Sequence, residues 1–143
     1  MKNTGKILAL MAGVFAFGMD ANPASAETLR LGDFQSTSHI ISIEGTTRWM
    51  FAVEQATGGE ISFEHFPAQQ AAKSAAQLDA VNNGILDVSL LGALYHSEVL
   101  PLNSVVGLPG FYGTAVQGTE ALQSMLKEGP LRDEFLDAGV MPI

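Results

Sequence analysis

The sequence contains no cysteine and few cationic side chains. The absence of cysteine excludes a disulfide scaffold, a thiolate zinc site and a cysteine nucleophile. Seven Lys and Arg stand against fifteen Asp and Glu, which gives a formal net charge of −8. A nucleic-acid-binding protein needs a basic face that displaces counterions from phosphates, so this charge balance argues against a nucleic-acid partner.

Motifs of catalytic and cofactor sites are missing as well. The chain has no G-x-S-x-G nucleophile elbow, no phosphate-binding loop and no dinucleotide fingerprint. The three histidines are scattered without a metal-ligand spacing. Glu64 and His65 are adjacent on a predicted strand, where neighbouring side chains point to opposite faces. We therefore expect no catalytic residue, no metal and no cofactor, and a binding protein rather than an enzyme.

What is present is enough apolar sequence for one domain or part of one: 143 residues, 47% of them hydrophobic. Residues 1–26 form their own pattern, with Lys2 and Lys6 before an apolar run that ends at Asp20, and Ala24-Ser25-Ala26 after it. A basic start, a short apolar run and a small-x-small end predict a cleaved signal peptide, and the run is too short for a membrane helix. The mature protein would start at Glu27.

The rest of the chain alternates predicted strands and helices. Strands are predicted at 28–32, 61–66 and 86–91, where short apolar or alternating runs are followed by glycine or proline. Helices are predicted at 40–57 and 70–83, and the first has an apolar stripe of Ile40, Ile43, Thr47, Met50 and Phe51, with Trp49 also in the core. This order predicts an α/β fold, with a mostly parallel sheet flanked by helices.

The segment after the third predicted strand differs from the rest. Residues 92–113 are rich in glycine and proline and are predicted to be irregular. A capping box at Thr114 and Gln117 opens a predicted helix to about Lys127, and Pro130 opens another that Gly139 ends. Residues 140–143 are predicted to begin a fourth strand. Because a parallel sheet needs cover on its faces and edges, we expect an N-terminal part of a longer protein.

Polar and aromatic residues follow each of the three predicted strands. In open α/β sheets, ligands lie beyond the carboxyl ends of the strands, and a helix N-terminus favours an anion there. Neutral donors suit a small polar ligand, and aromatic rings would shield it from water. The candidate ligand-binding residues are Phe34, Gln35, Ser36 and His39 after the first strand, Phe66 and Gln69 after the second, and Gly92 and Tyr95 after the third.

Five of these candidates also have a structural interpretation. Ser36 is a typical N-cap residue, and large aromatics such as Phe34 and Phe66 are mostly buried in cores. His39 fits an exposed loop position, and Tyr95 could pack with a satisfied hydroxyl group. The position directly after a strand is what favours ligand contact for these residues.

Several motifs in a fixed order carry a resemblance to a known family. They are the block Arg48–Ile61, which ends in Thr57-Gly58-Gly59-Glu60-Ile61, the turn Phe66-Pro67-Ala68-Gln69-Gln70, the segment Asn83-Gly84-Ile85-Leu86-Asp87, and Leu108-Pro109-Gly110-Phe111. In this order they closely resemble the DctP-like solute-binding proteins of tripartite ATP-independent periplasmic (TRAP) transporters. The resemblance covers essentially all of residues 27–143.

The resemblance implies a periplasmic binding protein-like fold whose two lobes close like a clamshell around a small organic acid. The ligand would pass to a membrane permease driven by an ion gradient, and the protein would work in the periplasm. Residues 27–143 would be the N-terminal lobe, truncated before the second lobe and before the arginine that usually holds the ligand carboxylate. Gly92 stands where the family often has an acidic or polar residue, which leaves room for a bulkier or less polar ligand.

Two other functions stay open at this point. The chain could be the solute receptor of another uptake or sensory system. It could also belong to a secreted enzyme whose catalytic pair lies outside these residues.

Overall fold

A three-stranded parallel sheet forms the centre of the molecule. The computed structural model describes residues 26–143, so the predicted signal peptide lies outside the described part except for Ala26. The strands are β1 (Glu27–Asp33), β2 (Ile61–Phe66) and β3 (Val88–Leu90), in the order β2-β1-β3. The predicted α/β fold class is confirmed, and so are the three strands, although β3 is shorter than predicted.

The register of the central strand assigns each side chain to one face of the sheet. Leu31 is opposite His65 on β2 and Val88 on β3, and Gly32 is opposite Phe66 and Ser89. Successive side chains on a strand point to opposite faces. The sheet is therefore covered on both sides, with the helix that follows β1 on the Leu31 face and the helix that follows β2 on the Gly32 face.

The helix after β1 begins as a π-helix (Ser42–Thr47) and continues as α1 (Arg48–Ala56). The predicted apolar stripe is wrong: Ile40, Ile43 and Phe51 are 63%, 43% and 63% exposed. The buried positions of the π-helix are Ser42 and Thr46. A stripe spaced for 3.6 residues per turn does not stay on one face of a π-helix, whose hydrogen bonds run from i to i+5.

Contacts of the same helix with the sheet include one aromatic ring and one hydroxyl group. The ring of Trp49 packs on that of Phe63 of β2, with centroids 5.2 Å apart, and the Ser42 hydroxyl donates to Asp33. Trp49 remains more than a third exposed, so its assignment to the core is wrong. The hydrogen bond from Ser42 fixes the polar side of the π-helix against the sheet.

The second helix is shorter than the predicted 70–83. A 3₁₀ turn (Ser74–Ala76) leads into α2 (Gln77–Asn82), and residues 67–73 form a loop. Ala68 and Gln69 have φ angles of 52° and 63°, which a right-handed helix cannot include. Leu78 of α2 is buried, and Gly32 lies so close to this side that a Cβ there would come within 2.7 Å of Gln77 Oε1.

The last part of the described chain is helical. Residues 92–113, predicted to be irregular, contain a 3₁₀ turn (Ala93–His96) and the short helix α3 (Pro101–Val105). The predicted helices are found as α4 (Ala115–Lys127) and α5 (Pro130–Asp137), and the Thr114 hydroxyl caps α4 by accepting from the N–H of Gln117 at 3.2 Å. No helix in residues 26–143 is long and apolar enough to cross a membrane.

Residues 140–143 form no strand, so the predicted fourth strand is wrong. Gly139 has a φ of 83°, and the N–H of Val140 donates to the carbonyl of Phe135 at 3.0 Å. This is the closure of a helix C-terminus around a left-handed residue. The segment then lines a cavity of about 620 Å³ beside β3, together with side chains of α1 and α2.

Candidate functional site

The candidate site is the carboxyl edge of the sheet, which we define as residues 33–39, 66–70 and 90–96. The chain leaves β1 toward β2 on one side, and β3 lies on the other side of β1. In a sheet with this order, the crevice between the tips of β1 and β3 is where doubly wound proteins bind ligands. The loops after these two strands are therefore the first place to look for ligand contacts.

Asp33 holds the loop after β1 against two other segments. Its carboxylate is fully buried and accepts from the N–H of Gln35 and from the Ser42 hydroxyl, each at 2.7 Å. His65 of β2 lies on the same side, with Nε2 3.6 Å from Asp33 Oδ2. Charge-assisted hydrogen bonds of this kind are stronger than neutral ones. The conformation of the β1 loop therefore depends on one buried carboxylate.

Backbone hydrogen bonds join the β1 loop to the β2 loop. The N–H of Ala68 donates to the carbonyl of Gln35 at 2.8 Å, and the N–H of Gln69 donates to that of Asp33 at 3.1 Å. The side chain of Gln69 also has an internal role, because its Oε1 accepts from the N–H of Ser74 at 3.2 Å. Its Nε2 group is the part left for a ligand.

Two aromatic rings meet between the tips of β1 and β3. The rings of Phe34 and Tyr95 lie edge to face, with centroids 5.6 Å apart and an interplanar angle of 73°. The room predicted above Gly92 is taken by Tyr95, because a Cβ at position 92 would lie 2.8 Å from Tyr95 Cδ2. Glycine is thus the residue that lets Tyr95 approach Phe34, and Tyr95 still exposes 55% of its surface.

The structure brings most of the predicted site residues together, in two groups. Phe34, Gly92 and Tyr95 form the aromatic contact, and Gln35 and Gln69 are linked through Asp33. The other two residues of the β1 loop, Ser36 and His39, are joined by a backbone hydrogen bond of 2.9 Å. Phe66 is half-buried and lies opposite Gly32, which places it on the α2 face of the sheet and away from the β1–β3 crevice.

Sequence reasoning missed the buried polar residues that support the edge. Asp33 and Ser42 are one such pair, and the buried Gln77 accepts from the hydroxyl of the half-buried Ser89 through Oε1. The available signal for Asp33 was its position, as an acidic residue directly after a buried apolar strand. Buried polar groups are hydrogen-bonded as a rule, so such a residue predicts partners from other segments.

The nearby arginines do not face this edge as free cations. Arg30 makes a two-pronged ion pair with Asp87, at 2.9 Å for both Nε and Nη2, and Arg48 pairs with Glu44 at 2.9 Å. The hydrogen bonds from Arg30 hold the pKa of Asp87 below its usual value. Within residues 26–143, no group of three or more His, Cys, Asp and Glu could hold a metal ion.

Solved structures with the same fold are periplasmic solute-binding proteins. One from Desulfovibrio salexigens, a TRAP protein in an open complex, has 25% identity and a TM-score of 0.68 over 77% of this chain and 34% of its own. A TRAP protein of Sulfitobacter with bound β-D-galacturonate has 21% identity and a TM-score of 0.63, over 78% of this chain and 37% of its own. A Bordetella pertussis extracytoplasmic solute receptor that binds pyroglutamic acid has 17% identity and a TM-score of 0.69, over 80% of this chain and 37% of its own.

The chain spans about a third of the length of these solved structures. A comparison with curated proteins finds no match. The model of one protein family, described as bacterial extracellular solute-binding protein, family 7, matches residues 31–142, which is most of the sequence. With the parallel sheet and its carboxyl edge in place, this match assigns the chain to that family: it is a member of the DctP family of bacterial extracellular solute-binding proteins.

Proposed function

We propose that this chain captures a small organic acid outside the cytoplasm and delivers it to the ion-gradient-driven permease of a TRAP-type transporter. The observation that carries the proposal is the convergence of three strand-tip loops at one edge, in a chain of a solute-binding family. Open α/β sheets bind small ligands at such an edge. A receptor of another uptake system and a secreted enzyme have no comparable support.

The ligand-contacting residues in this proposal are those that the carboxyl edge leaves available. Gln35 and Tyr95 would donate to the ligand, and Gln69 would do so through Nε2. The rings of Phe34 and Tyr95 would cover the apolar part of the ligand, whereas Phe66 lies on the α2 face, away from the crevice between β1 and β3. Ser36 and His39 would complete the β1 side of the site.

The mature chain from Glu27 onward would form the first lobe of a two-lobed receptor in the periplasm, after removal of residues 1–26 as a signal peptide. The family description, an extracellular solute-binding protein, and the three-part pattern of residues 1–26 support this arrangement. A second lobe would close over the carboxyl edge by a hinge motion. A ligand drives such closure only by binding the closed state better than the open one.

The test is direct identification of the bound solute. The exported protein at its natural length is purified without unfolding, and native mass spectrometry measures any retained small acid. Thermal unfolding is then measured with pyroglutamate, D-galacturonate, L-gulonate and phenylacetate, with uncharged glucose as the control. At a hundredfold excess over Kd, a ligand stabilises the folded state by about 2.7 kcal/mol, which raises Tm measurably.

Two outcomes would contradict the proposal. One is the absence of any retained acid together with an unchanged Tm for every acid tested. The other is chemical conversion of a bound acid, which would identify an enzyme instead of a receptor.

A further inference from the structure

A buried amide side chain connects the β2 loop (residues 67–73) to β3 across the central strand. Gln77, the first residue of α2, exposes 1% of its surface. Its Nε2 donates to the carbonyl of Ala72 in the β2 loop at 2.9 Å, and its Oε1 accepts from the hydroxyl of Ser89 on β3. Because β1 lies between β2 and β3, this one side chain holds two segments that are not neighbours in the sheet.

Gly32 of β1 leaves open the space that this side chain occupies. It is paired with Ser89, and a Cβ on Gly32 would lie 2.7 Å from Gln77 Oε1. The same Cβ would overlap the buried side chain of Leu86. Close approach, and not a positive φ, is therefore what requires glycine at this position. The amide of Gln77 lies directly on the backbone of the central strand.

The two partners determine which end of the amide faces which segment. A backbone carbonyl can only accept hydrogen bonds, so the group that faces Ala72 must be the NH₂ of the amide. Oε1 is then the acceptor for the hydroxyl of Ser89. Position 77 needs a donor and an acceptor at the end of one side chain. Because Gln77 is buried, a partner that lost its hydrogen bond would find little water to replace it.

We infer that Gln77 is a positioning residue that makes the β2 loop and β3 move together as one body. The N–H groups of Ala68 and Gln69 already join the β2 loop to the loop after β1. Gln77 adds the connection to β3, so that all three segments that carry the carboxyl edge are held together. This inference goes beyond the proposed function, because it concerns the support of the edge and no contact with a solute.

Hydrogen exchange in the natural-length protein tests the connection from its β3 end. Ser89→Ala removes the donor on β3 and leaves the sequence of the β2 loop unchanged. We expect the amides of Gln70 and Ser74, which are both hydrogen-bonded to residues of this loop, to exchange about 10-fold faster than in the wild type. The matched control is Ser62→Ala, which removes a hydroxyl group from β2 itself at an exposed contact with Thr28 and should leave both amides unchanged.

Gln77→Glu tests the need for a donor and an acceptor on one side chain. The protonated carboxyl can donate to Ala72 and accept from Ser89, whereas the ionised form can only accept. Burial raises the pKa of such a carboxyl, so both hydrogen bonds are kept below this raised pKa and the one to Ala72 is lost as the pH rises through it.

The exchange of the Gln70 and Ser74 amides in Gln77→Glu is compared with that of the wild type at each pH from 4.5 to 9. We expect equal rates at the acid end and about 10-fold faster exchange in the variant at the alkaline end. Gln77→Leu has a similar size but neither donor nor acceptor, and it should exchange faster over the whole range. Circular dichroism checks that each variant is folded.

Three outcomes would overturn the inference. Unchanged exchange of both amides in Ser89→Ala would show that the β2 loop is independent of β3. An equal acceleration in Ser62→Ala would show that loss of any hydroxyl group from the sheet loosens the loop. A rate ratio in Gln77→Glu that does not depend on pH would show that the hydrogen bond to Ala72 does not hold the loop. A failure to bind any acid would contradict the proposed function alone.

Discussion

Two carboxylates fix separate parts of this chain, and their surroundings differ. Asp33 is fully buried at the carboxyl edge of the sheet, where it holds the β1 loop and the π-helix. Glu134 of α5 is half-exposed and holds the start of α3, accepting from the N–H groups of Leu102 and Asn103 at 2.8 and 2.9 Å. The Asn103 side chain adds a third bond of 2.7 Å.

The number of hydrogen bonds that a carboxylate accepts therefore does not determine how much it contributes to stability. Water can replace Glu134 at the N–H of Leu102, because this hydrogen bond is exposed, and in part at the N–H of Asn103, whose bond is half-buried. Water has no such access to the hydroxyl of Ser42, which is fully buried together with Asp33. The cost of removing a carboxylate is the cost of the donors that stay unpaired, and this cost is larger in the interior.

The largest loss of folding stability is expected for Asp33→Ala. Loss of the carboxylate leaves the fully buried hydroxyl of Ser42 and the partly buried N–H of Gln35 without their acceptor. We expect the free energy of unfolding to fall by about 2–5 kcal/mol, measured by urea denaturation of the natural-length protein. Asp33→Asn keeps the shape and one acceptor oxygen and is expected to cost less.

A loss below about 1 kcal/mol in Asp33→Ala would contradict the assignment of this carboxylate as the support of the edge. Hydrogen exchange gives a local readout of the same question. The amides of Gln35 and Gln69 should exchange faster in the variant, whereas amides of α4 should not change.

Glu134→Ala is expected to have a smaller effect, about 1–2 kcal/mol, because it removes a cap that water can partly replace. The loss should appear as faster hydrogen exchange at Leu102 and Asn103, the two amides that donate to this carboxylate. A loss as large as that of Asp33→Ala would remove the distinction between a buried and a solvent-accessible carboxylate.

The pH dependence separates Glu134 from other acids. Burial raises the pKa of Glu134, but the hydrogen bonds from Asn103 and Leu102 outweigh it and hold the pKa below its usual value. The carboxylate therefore stabilises the fold fully above the pKa of an unfolded glutamate, about 4.3, and loses this effect as the pH falls through the lower folded pKa.

We expect the difference in unfolding free energy between the wild type and Glu134→Gln to be constant from pH 7 to about 5.5 and to shrink below about 4.3. Acids elsewhere titrate in both proteins and cancel in the difference. A difference that stays the same down to pH 3 would show that the ionised form of Glu134 has no preferred contact.

The sequence predicted the strands well because they are short apolar or alternating runs that end near a glycine or proline, as at Pro67 after β2 and Gly92 after β3. It failed where the backbone departs from regular geometry without a sequence signal. The π-helix at Ser42–Thr47 moved the apolar stripe into solvent. The left-handed angles at Ala68 and Gln69 shortened the second helix, and neither is a residue type that favours such angles.

The sequence predicted where the candidate site lies but not which contacts hold it together. Strand order and the carboxyl-end rule were enough to select the loops of Phe34 and Tyr95. The support by Asp33 was not predictable, because its partners Ser42 and His65 come from different segments and meet only in the folded sheet. The absence of a side chain at Gly92 was expected to leave room for a ligand, whereas the ring of Tyr95 occupies this space.

The smallest expected effect on stability concerns this aromatic contact, which no carboxylate holds. In Gly92→Ala, the new Cβ would lie 2.8 Å from Tyr95 Cδ2, so the ring must move. Because Tyr95 is more than half exposed, it can move into solvent, and the free energy of unfolding should change by less than about 1 kcal/mol. The contact between Phe34 and Tyr95 should nevertheless disappear from nuclear Overhauser spectra. If the contact is retained, the backbone at position 92 has moved instead of the ring. The crevice between β1 and β3 would then be less rigid than the part of the edge that Asp33 holds.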